Sequence, residues 1–173
     1  MPDADMEMSA KIVSDSAFGC AGQRCLAVSV AVTVADSTKK FNEALLDIAS
    51  GIKTGDGLQE GTTMGPVITQ QSKERILQLV DKGVSRGGKV LLDGREFEGS
   101  GNFIAPTIIS GIDSSDPLMG TEIFGPVLTV NDVSTLDDAI ATLSQSAYGN
   151  SSAFLHRVVR RHGSSAMKHR PEI

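Results

Sequence analysis

The chain has 173 residues, 40% of them apolar, with 18 glycines, no Trp and one Tyr, a composition that fits one globular α/β domain and excludes a disordered or fibrous polypeptide. Met1 to Met8 is acidic and lacks the basic and apolar regions of a signal peptide, and no apolar run is long enough to span a bilayer, so a cytoplasmic chain is expected. Two cysteines five positions apart, with no further Cys or His nearby, suit free thiols in a reducing compartment and make a poor metal site.

Met6 to Phe18 reads as a helix, with Met8, Ile12 and Val13 on one apolar face. It breaks at glycines in the run Phe18-Gly-Cys-Ala-Gly-Gln-Arg-Cys25 and leads into a Val-rich, buried strand over 26–34. Lys40 to Ile52 sets Phe41, Leu45, Ile48 and Ala49 at helical spacing, and five glycines between 51 and 65 mark a loop. No Gly-Lys-Ser/Thr follows those glycines, which argues against a phosphate-binding P-loop. Gln70 to Arg86 reads as an amphipathic helix with Ile76, Leu79, Val80 and Val84 inward, ended by Gly87 and Gly88. Short strands are expected at 90–92, 103–109 and 127–130, and a last helix from Thr135 to Ser146. This alternation predicts an α/β layered domain with a largely parallel sheet and no internal repeat.

The net charge of −5 conceals an asymmetry. Residues 1–153 hold 11 Lys and Arg against 20 Asp and Glu, whereas residues 154–173 hold five against one, together with all three His. Beyond Phe154 this basic tail has no aromatic side chains between its charges, so neither nucleic acid nor a membrane is expected as a partner. The genetic code offers another origin for it. One allowed back-translation, read in the neighbouring frame after Ala153, gives a different continuation, rich in serine and alanine. On that reading residues 154–173 are a frameshift product, and 1–153 is the folded unit.

A glycine break that presents a cysteine beside an arginine, just ahead of a strand, suits a nucleophile held at the mouth of a site. The run resembles the active-site signature of the aldehyde dehydrogenase superfamily, with Cys25 in the place of the catalytic thiol. Its variant Gly22-Gln-Arg-Cys25 is similar to that of the CoA-acylating methylmalonate-semialdehyde dehydrogenases. A second run, Thr121-Glu-Ile-Phe-Gly-Pro-Val127, resembles the superfamily's cofactor element, 97 positions after Cys25. The resemblance implies that Glu122 binds the nicotinamide ribose of NAD and that Phe124 contacts the nicotinamide end. It also implies that Arg24 binds a substrate carboxylate, that coenzyme A takes the acyl group from a Cys25 thioester, and that the parent enzyme is a homo-oligomer. A eukaryotic parent would place it in the mitochondrial matrix.

The resemblance covers roughly residues 1–153, an incomplete catalytic domain without the NAD-binding domain, so the isolated chain is expected to be inactive. Other readings stay open: a hydrolytic NAD(P)-dependent aldehyde dehydrogenase, a non-enzymatic interaction module, or one subunit of a split enzyme. A Cys–His hydrolase is disfavoured because every His lies in the doubtful tail. Cys20 reads as a packing residue.

Overall fold

The structure, a computed structural model, describes residues 1–97 and 99–157. Most of the tail expected over 154–173 therefore lies outside the described residues. Helix α1 spans Met6–Phe18, and Asp5 caps it by accepting a hydrogen bond from the Met8 N–H at 3.1 Å. Strand β1 (Val30–Val34) follows, then α2 (Ser37–Ser50) and α3 (Gln70–Ser85), the latter capped by Thr69. Strands β2 (Lys89–Leu92) and β3 (Thr107–Ser110), a short α4 (Pro117–Gly120), β4 (Val127–Val133) and α5 (Leu136–Ser144) complete the described fold. No described helix is long and apolar enough to cross a membrane.

The four strands form one sheet in the order β1-β4-β3-β2. β1 runs parallel to β4, with Val30 opposite Thr129, and β4 runs parallel to β3, with Val127 opposite Thr107. Only β2 is antiparallel, on the β3 edge. The largely parallel sheet read from the sequence is thus correct. Its centre is apolar on both faces, as a covered parallel sheet requires: Ile108, Ile109, Leu128 and Val130 are buried. Leu45 from α2, with Ile76 and Val80 from α3, closes the core.

Three details depart from the sequence reading. The buried face of α1 is Ala10, Val13, Ser14 and Ala17, whereas Met8 and Ile12 are exposed. These small side chains let α2 pack closely, so the large apolar residues are displaced outward. The strand expected from residue 26 begins at Val30, because the Ala27 N–H closes a turn onto the Arg24 carbonyl and the Val28 N–H is taken by Ser16 Oγ. β3 starts at Thr107 rather than 103, since Pro106 has no N–H to give a ladder.

Helix α4 was not read from the sequence. Its signal is Asp116-Pro117, a capping carboxylate followed by proline at the first helical position. Asp116 Oδ1 accepts from the Leu118 N–H at 2.7 Å, and both carboxylate oxygens accept from Arg86 at the end of α3, at 2.5 and 2.7 Å. The Arg86 guanidinium holds the Asp116 carboxyl below the usual carboxylate range. A depressed carboxylate contributes stability that is present above its unfolded value, about 3.9, and is lost as pH falls through the folded value. Urea unfolding below about pH 4 should therefore show wild type losing its advantage over Asp116→Asn, with the largest difference near neutrality. Parallel curves for the two proteins over that range would contradict the assignment.

Candidate active site

The segment after α1 is wound the wrong way for L-residues. Cys20 (φ 53°), Ala21 (φ 52°) and Gly22 (φ 68°) are all left-handed, and two of them carry a Cβ. Each such non-glycine residue costs about 1–2 kcal/mol, so the surroundings must impose the conformation. The Gln23 N–H returns to the Cys20 carbonyl at 3.1 Å, and the Ala27 N–H to the Arg24 carbonyl at 3.0 Å. Between these two closures the chain turns outward, and Cys25 is exposed. Its carbonyl accepts from Asn150 Nδ2 at 3.1 Å, a contact spanning 125 positions of sequence.

A second strained turn faces the first. Phe124 is also left-handed (φ 53°) and keeps its ring 41% exposed, while its neighbour Ile123 is buried. Arg75 of α3 imposes this alternation by donating to the carbonyls of both Glu122 and Ile123. With its backbone so fixed, Glu122 is exposed, and its carboxylate bonds to no described residue. Arg75 carries no motif of its own. Sequence could not have singled it out, because its partners are carbonyls 47 and 48 positions away.

The two turns meet at glycine. A Cβ on Gly22 would lie 2.1 Å from the Gly125 carbonyl oxygen, so the two backbones touch at a distance open to no other residue. One cavity of about 520 Å³ opens beside this contact, and Arg24, Cys25, Glu122 and Phe124 all line it. All four residues named from the sequence therefore line one cavity, although 97 positions separate Cys25 from Glu122. Arg24 is the partial exception in aim. Its Nη2 donates to the Asp15 carbonyl at 3.4 Å, resting on the C-terminal end of α1. It lies where a Cβ on Gly19 would be 2.2 Å away. Cys20 is exposed, which does not fit the packing role read for it.

The exposed Cys25 thiol and the Glu122–Gly125 turn are thus brought to one glycine contact at the edge of an α/β sheet. The chain belongs to the aldehyde dehydrogenase family, which it matches over residues 1–168. It is 43% identical over 157 residues to a mouse protein named methylmalonate-semialdehyde/malonate-semialdehyde dehydrogenase [acylating], mitochondrial, covering 88% of this chain and 29% of that one. Malonate-semialdehyde dehydrogenase 1 of Geobacillus thermodenitrificans is 38% identical over 176 residues, covering 100% of this chain and 36% of that one.

Among solved structures, methylmalonate-semialdehyde dehydrogenase from Oceanimonas doudoroffii superposes with a TM-score of 0.92 at 31% identity, over 96% of this chain and 35% of that one. An NAD complex of a Bacillus cereus aldehyde dehydrogenase superposes with a TM-score of 0.92 at 26% identity, over 97% of this chain and 34% of that one. The chain thus spans about a third of the length of the relatives it matches.

The Gly22 contact sets a test of the site's architecture. Gly22→Ala combines a clash with backbone and a left-handed φ, and it should cost about 3 kcal/mol or more in urea unfolding. Gly57→Ala, with nothing within 4 Å of the added carbon, should stay within about 0.5 kcal/mol of wild type. Equal effects of the two substitutions would refute the clamp.

Proposed function

We propose that this chain carries the catalytic half-site of an NAD-dependent, CoA-acylating dehydrogenase of methylmalonate or malonate semialdehyde. The observation that supports it best is that Cys25, Arg24, Glu122 and Phe124 line one cavity beside the Gly22–Gly125 contact. The mouse relative's name supplies the substrate and the acylating outcome.

In this reading the Cys25 thiolate attacks the aldehyde carbon and forms a thiohemiacetal. The Cys25 backbone N–H helps hold the resulting oxyanion, a donor fixed by the main chain and needing no reorganisation. NAD, when bound, would supply the hydride acceptor. The Glu122 carboxylate, exposed and unbonded among the described residues, suits the hydroxyls of a nicotinamide ribose, and the Phe124 ring offers an apolar wall beside them. Cys25 is left as a thioester, and the thiol of coenzyme A displaces it to give acyl-CoA and the free cysteine. The Arg24 guanidinium, on leaving its single long bond to Asp15, can take the substrate carboxylate in a bidentate pair.

The folded unit is taken as 1–153, with a frameshifted segment after it, and the nucleotide sequence across codon 153 decides that point. The matrix setting proposed for a eukaryotic parent accords with the mitochondrial name of the mouse relative, and a cytoplasmic setting is proposed otherwise. The described residues contain no glycine-rich turn opening a helix that would cradle a dinucleotide pyrophosphate. By itself the 173-residue chain should therefore give no steady NADH production with semialdehyde and coenzyme A, and a sustained signal would overturn that expectation.

Binding chemistry is testable without turnover. Methylmalonate semialdehyde should slow alkylation of Cys25 by iodoacetamide, followed by peptide mass spectrometry. Arg24→Gln should remove about tenfold of the preference for this aldehyde over propanal, the worth of a charge-assisted pair. No protection of Cys25 by any aldehyde would sink the reading.

A further inference from the structure

The strained turn needs a fastening that the glycine contact does not supply. Contact with Gly125 limits how the turn can be replaced, but a van der Waals stop is not a bond. Three further bonds come from one side chain inside the turn. Gln23 Oε1 accepts from the Ile68 N–H at 2.9 Å, and its Nε2 donates to the Pro66 carbonyl at 3.3 Å and to the Cys20 carbonyl at 3.2 Å. The orientation of this amide is unambiguous, because turning it over would set oxygen against two carbonyls and NH₂ against an N–H.

The receiving segment is itself anchored. Val67 is 1% exposed, its N–H is held by the Asn102 carbonyl at 2.9 Å, and Thr69 begins α3 as its cap. Ile68, by contrast, keeps its side chain 76% exposed, so its backbone N–H is what the fold uses. Within the turn, the Cys20 carbonyl takes bonds from both the main-chain N–H and the side chain of Gln23. Gln23 thus closes the left-handed turn on itself and ties it to a rigid segment 43 and 45 positions away.

We propose that Gln23 is a positioning residue for the Cys25 thiol: its carboxamide, acting as donor and acceptor together, holds the turn that presents the nucleophile. The inference rests on Cys25 being that nucleophile. Only an amide satisfies all three partners. Glutamate would keep the bond from Ile68 but turn an oxygen toward two carbonyls, and methionine would fill the same volume while bonding to none.

The test uses the 173-residue chain and needs no aldehyde. Cys25 is alkylated with iodoacetamide and with iodoacetate, and the ratio of the two rates reports how the thiol is presented to a neutral and an anionic reagent. Hydrogen exchange is followed at the Ile68 amide. In wild type the Ile68 amide should be protected, and the alkylation ratio should differ from that of the urea-unfolded chain. In Gln23→Met, exchange at Ile68 should accelerate about tenfold, the order of one hydrogen bond. The ratio should move to the unfolded value, with exchange in β1 and α3 unchanged. Gln23→Glu should shift the ratio likewise while retaining part of the Ile68 protection.

An unchanged ratio in Gln23→Met overturns the proposal even if Ile68 exchange rises, because the bond would then be structural alone. An unprotected Ile68 amide in wild type overturns it without any variant, should the substitutions fail to fold. Failure of the dehydrogenase reading looks different: aldehydes would not protect Cys25, while the Gln23 effects would persist.

Discussion

The site depends on a contact between two backbones that no side chain could mediate. Gly22 and Gly125 touch where a single added carbon would lie 2.1 Å from a carbonyl oxygen. Everything chemical lies within a few residues of that point, Cys25 on one side and Glu122 and Phe124 on the other. Because the contact is direct, the spacing between the two turns is set by van der Waals radii. Flexible rotamers have no part in it, so the spacing between the two turns is rigid. Three residues with a Cβ, Cys20, Ala21 and Phe124, accept left-handed backbone around it. Strain on both sides of one contact is a sign that the geometry is imposed by the surrounding fold.

The sheet explains how the contact is carried. β1 and β4 lie side by side and parallel, with Val30 opposite Thr129, so the segments entering them arrive at the same end of the sheet. The thiol turn enters β1, and the Glu122–Gly125 turn enters β4. Parallel pairing therefore brings together two motifs far apart in sequence, with β4 buried on both faces over Val127–Val130 and β1 half-buried at Val30 and Val32. Helix α3 then supports both turns. Its Arg75 holds the carbonyls of Glu122 and Ile123, and the segment leading into it, 66–68, receives Gln23.

Much of this was legible in the sequence because it rests on local pattern. Helical spacing located α2 and α3, apolar runs located β1 and β4, and the two motifs named four residues that line the cavity. What escaped was set by packing or by distant backbone. The face of α1 rotated: Val13 is buried as read, but small residues take the places expected of Met8 and Ile12. Arg75 and Asn150 bond to carbonyls, which every residue has, so no pattern of residue types marks their partners. Gln23 lies inside the motif, yet its reach to Pro66 and Ile68 is a fact of tertiary structure alone.

Arg24 shows how the same loop combines rigidity with a movable charge. Its neighbours Gln23 and Cys25 are each bonded, through a side-chain amide and a backbone carbonyl respectively, so the main chain at Arg24 is fixed. Its side chain is not. The guanidinium lies over Gly19, in space that any other residue would fill, and makes one exposed bond of 3.4 Å to the Asp15 carbonyl. Resting at the C-terminal end of α1, a positive charge is favourably placed by the helix dipole, though an exposed interaction of this kind amounts to less than about 1 kcal/mol. A bidentate pair with a carboxylate is the stronger interaction, at about 1.5–3 kcal/mol for a hydrogen bond to a charged group. The guanidinium is thus held aside by a contact weaker than the pair a carboxylate could offer it, while the main chain of the neighbouring cysteine is fixed.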